Sequence, residues 1–228
     1  MVIIQPVIEC CHVTKSYVRG DQEIPVLRNF NLSVPNGQFL SVMGPSGSGK
    51  TTILNLIAGL DRPVNGTIRV AGMEVSRQRE TELARWRARH IGFVFQFYNL
   101  IPVLTAAENV ELPLLLSSLS KSERAKRVRA ALELVGLGDR LDHYPRQLSG
   151  GQEQRVGIAR AIVGDPTILL ADEPTGNLDR EAAEAVMTLL RRLHRELGKT
   201  IVMVTHDPFV AEYAETVLHV DKGKGSSR

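Results

Sequence analysis

The run Gly44-Pro-Ser-Gly-Ser-Gly-Lys50-Thr51 constrains this chain more than any other stretch. It has the spacing Gly, four residues, Gly, Lys, Ser/Thr, and its flanks are those the spacing requires. The apolar segment Gln38–Met43 before it reads as a buried strand, and Lys50–Ala58 after it reads as a helix stopped by Gly59. Glycines let the backbone curl until successive N–H groups face one concavity, and the following helix adds its positive dipole end. Such a loop holds phosphate. Lys50 brings a point charge to β- and γ-phosphates, and Thr51 a hydroxyl oxygen for Mg²⁺. Gly44, Pro45, Ser46, Gly47, Ser48, Gly49, Lys50, Thr51 and Thr52 are therefore candidate nucleotide contacts.

A second motif belongs to the same chemistry. Ile168-Leu-Leu-Ala-Asp172-Glu173 is an apolar strand ending in two carboxylates. In a parallel sheet that end opens into the crevice where ligands bind. Asp172 there would hold Mg²⁺, and Glu173 would orient and deprotonate an attacking water.

The strands predict the fold class. Gln38–Met43, Thr167–Ala171 and Thr200–Thr205 are near-continuous apolar runs, as in a parallel sheet covered on both faces. Between the last two, Arg180–Leu197 repeats apolar residues with a helical period and stops at Gly198. Pro63–Gly66 reads as a hairpin turn before a short strand, Thr67–Val70. The middle, about 98–163, has no comparable strand and contains a helical stretch, Ser122–Val135. The expectation is an α/β core with an inserted helical lobe.

Composition excludes other classes. Hydrophobic residues make up 43% of the 228 and charged residues 23%, which is neither disordered nor fibrous. Cys10 and Cys11, the two cysteines, read as buried core thiols in a strand. The longest apolar stretch, Ile91–Leu104, is interrupted by Gln96, Asn99 and Pro102, too soon for a membrane span. No signal peptide is expected at the N-terminus. The net charge of +3 is unevenly spread: residues 62–130 hold 12 Lys/Arg against 6 Asp/Glu. Arg85, Arg87, Arg89, Lys126 and Arg127 in that third could face an anionic lipid leaflet.

Leu148-Ser149-Gly150-Gly151-Gln152, followed by Gln154-Arg155, resembles the signature motif of ATP-binding-cassette (ABC) ATPases. A hydroxyl and bare N–H groups at a helix start make a second anion site. The resemblance covers about residues 7–221. It implies a P-loop NTPase (RecA-like) core with a parallel sheet, an antiparallel β subdomain and an inserted α-helical subdomain, all in one nucleotide-binding domain over 1–228. It also implies a head-to-tail dimer, each ATP lying between the phosphate loop of one copy and the signature of the other. By the same resemblance Tyr17 would stack on adenine. Gln96 would sense Mg²⁺ and γ-phosphate, Asp179 would lie in the loop crossing the dimer, and His206 would contact the γ-phosphate. The other histidines, His12, His90, His143, His194 and His219, have no such context and read as structural or surface. Glu153 stands where many relatives have Gln.

Three classes of cassette compete. Nucleic-acid machines of the repair and chromosome type resemble a cassette split by a long coiled coil, and translation types carry two cassettes. Here one phosphate loop is followed by one signature with no heptads between them, so no nucleic-acid partner is expected. The segment Phe93–Pro113 resembles the groove that receives a permease's cytoplasmic helix, and with Leu170–Asp179 it is similar to one bacterial subfamily. Those members drive lipoprotein release, macrolide or peptide export, or signalling at the division site. The implied protein is an ATP-hydrolysing subunit at the cytoplasmic face of the membrane, paired with a second copy and with a separate permease. Little chain follows His206, so a C-terminal regulatory domain like that of sugar importers is not expected.

Overall fold

A computed structural model describes residues 6–221 and 224–227. The chain opens with β1 (Ile8–Arg19) and β2 (Gln22–Val34), then β3 (Phe39–Met43) and α1 (Lys50–Ile57). Next come β4 (Asn65–Val70), β5 (Met73–Glu74), α2 (Glu80–His90) and β6 (Ile91–Val94). The helical stretch holds α3 (Ala106–Glu111), α4 (Lys121–Leu134) and α5 (Gly150–Ile162). The chain then returns through β7 (Ile168–Asp172), α6 (Arg180–Leu197) and β8 (Thr200–Thr205), and on to α7 (Pro208–Ala211), β9 (Thr216–Asp221) and β10 (Lys224–Ser227).

Among the described residues the strands form two sheets, one of order β2-β1-β4-β5 and antiparallel, the other of order β10-β9-β3-β8-β7-β6. In the second, β9, β3, β8, β7 and β6 run parallel and only β10 is antiparallel. Its central strands β3, β7 and β8 are buried along nearly their whole length, and their side chains alternate between two cores. Phe39, Leu169, Ala171, Ile201 and Met203 join the core beneath α5 and α6. Leu40, Val42, Ile168, Leu170, Val202 and Val204 join the core that holds α1. That second core also takes Ile8, Cys10, Val13, Leu27 and Phe30 from the antiparallel sheet, so α1 is enclosed between the two sheets. A helix with both sides packed cannot tilt freely, and the loop before it inherits that rigidity.

The helices begin and end where local chemistry dictates. Thr105, Ser120 and Ser149 cap α3, α4 and α5, each with a Glu or Gln closing a capping box. Asp179 caps α6 by accepting from Ala182 N at 2.8 Å, and Gly198 at φ 62° ends it. Helices α3, α4 and α5 share a lobe core of Val110, Val128, Leu132 and Val156. Buried Asn109 pins the loop before α3, accepting from Ile101 N at 2.7 Å and donating to the carbonyls of Ile101, Leu104 and Thr105.

Several local expectations need correction. Pro63–Gly66 is not a hairpin turn, because β4 pairs antiparallel with β1, not with a strand ending at Pro63. The hairpin that involves β4 turns at Ala71-Gly72, both at positive φ, and leads to β5. Gln38 and Thr167 lie just outside the strands expected to include them. Cys10 is buried and its thiol is pushed up to about 12, chiefly by burial. Its neighbour Cys11 is only half-buried, since adjacent residues in β1 point to opposite faces. Of the basic residues, Arg87 is engaged by Glu80 and by Gly59 O, which removes it from any open basic surface.

Candidate functional site

The parallel sheet brings four separate sequence motifs to one edge. Strand β3 ends at Met43 and opens into the glycine loop. Strand β7 ends at Asp172, β8 gives way to His206, and Gln96 follows β6 by two residues. Because these strands are neighbours and parallel, their C-terminal ends line up in one crevice. There they line a cavity of ≈ 920 Å³ with Gly44–Gly47, Gly49–Thr52, Gln96, Asp172, Glu173 and His206 on its wall. The volume lies at the upper end of the usual range for small-molecule sites.

Two glycines of the loop are dictated by geometry. At Gly44 a Cβ would lie 2.3 Å from Val220 O, so any side chain would push the loop off β9. Gly49 has φ 96° and sits against Val26 and Leu27 at the start of α1. The Lys50 ammonium is folded into the loop, donating to Gly44 O at 2.8 Å and Pro45 O at 3.0 Å. Ser48 departs from expectation. Its side chain is buried and off the cavity wall, its hydroxyl has no partner among the described residues, and its N–H donates to Pro45 O at 3.2 Å.

Across the cavity, Thr51 Oγ1 donates to Asp172 Oδ1 at 3.1 Å. Burial raises the Asp172 carboxyl above the ordinary carboxylate range, and the Glu173 charge adds to this; Thr51 and Lys50 pull the other way. Hydroxyl and carboxylate oxygens are the hard donors that Mg²⁺ takes, commonly with phosphates and water completing the shell. Among the described residues no three His, Cys, Asp or Glu gather into a self-sufficient metal cage, so any metal here would depend on a ligand's own oxygens.

Glu173 has φ 45°, which is strained for a residue with a side chain. Two backbone bonds hold it there: its N–H donates to Val204 O at 3.0 Å and its carbonyl accepts from Gly176 N at 3.0 Å. The carboxylate meets His206, whose Nδ1 lies 2.9 Å from Oε1. A carboxylate held beside an imidazole at the mouth of a phosphate cradle is placed to take a proton from water.

Gln96 reaches the cavity and also touches the loop before α6. A Cβ on Gly176 would lie 2.8 Å from Gln96 Nε2, and Asn177 Nδ2 donates to Gln96 O at 3.1 Å. Tyr17 is not on the cavity wall but adjoins it. Its hydroxyl donates to Asp61 Oδ2 at 2.7 Å and lies 3.5 Å from Thr52 Oγ1, while Lys15 Nζ covers the ring 4.7 Å from its centre.

The signature residues lie elsewhere. Ser149 and Gly151 line a second cavity of ≈ 290 Å³ with Arg155, Asp179 and Ala182, and none of these lines the phosphate-loop cavity. Ser149 Oγ accepts from Gln152 N at 3.3 Å and Gln152 Oε1 accepts from Ser149 N at 2.9 Å, which fixes the first turn of α5. Leu148 packs on the lobe core, and a Cβ on Gly150 would meet the Tyr98 hydroxyl at 3.0 Å. The phosphate-loop residues and the signature residues therefore line two separate cavities and do not face each other across one.

Sequence reasoning missed three residues on the main wall, Val26, Met43 and His219. His219 is paired in register with Met43 across β9 and β3. Nothing local to it in the sequence signals this; only the strand pairing does. His194, read as structural, is buried and paired with Glu215 at 3.1 Å.

Comparison with known proteins agrees with the geometry. Residues 27–176 match the model of the protein family described as ABC transporter. The chain is 49% identical over 213 residues to YvrO, an uncharacterized ABC transporter ATP-binding protein of Bacillus subtilis, covering 93% of each. It is 45% identical over 217 residues to the macrolide export ATP-binding/permease protein MacB of Salmonella typhimurium, covering 95% of this chain but 33% of MacB. A solved dimer of the ATP-binding cassette MJ0796, in a post-hydrolysis state bound to ADP and Pi, superposes with a TM-score of 0.89 at 45% identity, over 97% of each chain.

Proposed function

The chain belongs to the ABC transporter family, as an ATP-binding cassette that hydrolyses ATP, and on that premise we propose that it is the motor subunit of an export or lipoprotein-release machine. All 228 residues act as one nucleotide-binding unit. Two copies associate head to tail when ATP binds, and their closure drives a separate membrane permease through the segment after Gln96. The chain works at the cytoplasmic face of the membrane. Among the described residues no helix is long and apolar enough to cross a bilayer, and the spanning part is assigned to the separate permease.

The observation that carries this reading is the split between the two half-sites. Lys50, Asp172, Glu173 and His206 meet in one cavity, while Ser149 and Gly151 open into another. A second copy turned head to tail would bring its Ser149 hydroxyl and α5 N-terminus to the first copy's phosphate loop. In that arrangement the loop N–H groups and Lys50 hold the phosphates, and Tyr17 stacks on the base. Thr51, Gln96 and Asp172 would hold Mg²⁺, which would offset charge on the phosphate oxygens. Glu173 takes the proton of the attacking water, and His206 holds Glu173 and the γ-phosphate in register. Export over import is supported by the 45% identity to MacB.

Glu173→Gln tests the reading. Turnover should fall by about 10²–10⁴-fold, the range of a lost general base, while ATP is retained and size exclusion with Mg·ATP shows a dimer. Lys50→Ala should instead weaken nucleotide binding by about tenfold or more, as expected for a lost charge-assisted contact. Wild-type turnover in Glu173→Gln, with only monomer in ATP, would sink the assignment.

A further inference from the structure

Gln154 is a fully buried polar side chain for which the site as described has no use. It lies in the second turn of α5, on the helix that Ser149 caps. Its Nε2 donates to Phe95 O at 3.2 Å and to Pro174 O at 2.5 Å. Phe95 immediately precedes Gln96, and Pro174 immediately follows Glu173. One amide thus holds the backbone entering Gln96 and the backbone leaving Glu173, and it does so from the signature helix. Its Oε1 has no hydrogen-bond partner among the described residues. Burying an amide with an orphan oxygen is a cost that an apolar residue of equal length avoids, so stability alone is a poor reason for glutamine here. The same helix grips the chain further on, where Arg160 donates to the carbonyls of Tyr98 and Asn99.

We infer that Gln154 is a positioning residue that couples the two half-sites of one chain. Nucleotide pressing on Ser149 and Gly151 displaces α5, and the Gln154 amide carries that displacement to Gln96 and Glu173. By linkage the route works in reverse: nucleotide engaged by Gln96 and Glu173 biases the signature offered to the partner. In a head-to-tail dimer this makes each ATP sense the other. The inference rests on the proposed sharing of sites between two copies.

Gln154→Met tests it, because methionine keeps the unbranched length and removes both donors. Affinity for a fluorescent ATP analogue should stay within about twofold of wild type, since the phosphate loop is untouched. Turnover at saturating ATP should fall at least about tenfold with KM little changed, and the Hill coefficient of the ATP dependence should fall toward 1. Gln154→His keeps one ring N–H donor and should recover part of the turnover. A folded Gln154→Met with turnover within about twofold of wild type, or with lost turnover and an unchanged Hill coefficient, overturns the inference. Hydrogen exchange on the wild-type chain gives a second measurement that does not depend on a variant folding. Mg·ATP should slow exchange in α5, in residues 95–99 and in residues 173–179 together; protection of one without the others overturns it. Failure of the underlying reading looks different. There Glu173→Gln would itself hydrolyse ATP normally, whereas a crippled Glu173→Gln beside an unimpaired Gln154→Met removes the coupling alone.

Discussion

Asp61 shows how much of this site is set by residues outside the recognised motifs. Burial alone would raise its carboxyl, but hydrogen bonds from Lys15, Tyr17 and the Arg62 N–H outweigh that and hold it below the ordinary range. It accepts from Lys15 Nζ at 2.6 Å and from the Tyr17 hydroxyl at 2.7 Å, so it orients the ring that adjoins the phosphate loop. Asp61→Ala should therefore weaken ATP binding about three- to tenfold, the worth of one partly exposed positioning contact, and leave saturated turnover unchanged. Equal weakening of inorganic triphosphate, which has no base to stack, would contradict this. The carboxyl's lowered pKa fixes the pH dependence. A depressed acid stabilises the fold above its unfolded value and loses that contribution as pH falls through its native value. The stability difference between wild type and Asp61→Ala should thus be flat at neutral pH and shrink only in acid below the ordinary carboxylate range. Asp172 has the opposite sign. Its pKa is raised, so its ionised form costs native stability at neutral pH. Asp172→Asn, which can keep the Thr51 bond, should abolish turnover yet raise the melting temperature of the nucleotide-free chain by about 2 °C, a gain of under 1 kcal/mol. A lowered melting temperature would mean that ionised Asp172 is a net stabiliser.

At the scale of elements, α6 was legible from end to end because its signals are local. A helical apolar period runs between an Asp cap and a Gly stop, and Gly198 sits at φ 62° with no atom of the described residues, its chain neighbours aside, within 4 Å of where a Cβ would stand. Gly198→Ala therefore isolates backbone strain. Urea unfolding should show a loss of about 1 kcal/mol with unchanged m-value, and turnover should be normal; an unchanged midpoint would show that the turn relaxes without cost. The glycine loop, β7 and β8 were legible for the same reason, each being a compact word with strand or helix on either side. The antiparallel sheet was implied by the family resemblance, but its pairings were not legible. Strand β1 pairs with β2 through register shifts after Cys10, Val13 and Lys15, and with β4 across more than fifty residues of chain. Turn residues at Pro63–Gly66 therefore suggested a hairpin, while the real turn, at Ala71-Gly72, has no Asn or Asp to announce it. His219 was missed on the same ground: its place opposite Met43 is a fact of strand pairing, which no sequence period encodes. Gln154 was visible only as a letter in a motif, because what it bonds to lies 59 and 20 residues away.

For the whole molecule the decisive fact is that the phosphate loop and the signature open into different cavities. An enzyme that completed its site within one chain would tolerate no division of labour between two damaged copies. A head-to-tail pair must. Lys50→Ala damages the loop and Ser149→Arg fills the space in front of α5, so each variant alone leaves every site of its own dimer broken. In a mixed dimer the intact loop of the Ser149→Arg chain faces the intact signature of the Lys50→Ala chain, and both lesions fall in the other site. Equal mixtures should regain turnover absent from either preparation. The ceiling is about a quarter of wild type, because random pairing makes about half of the dimers mixed and each has one sound site of two. The coupling assigned to Gln154 places the recovered rate below that ceiling, since the sound site then works beside one that does not fill. If mixed dimers are captured by two affinity tags and remain as inactive as the parents, the sites are not shared. Recovery at the full quarter would leave sharing intact and remove the coupling between sites.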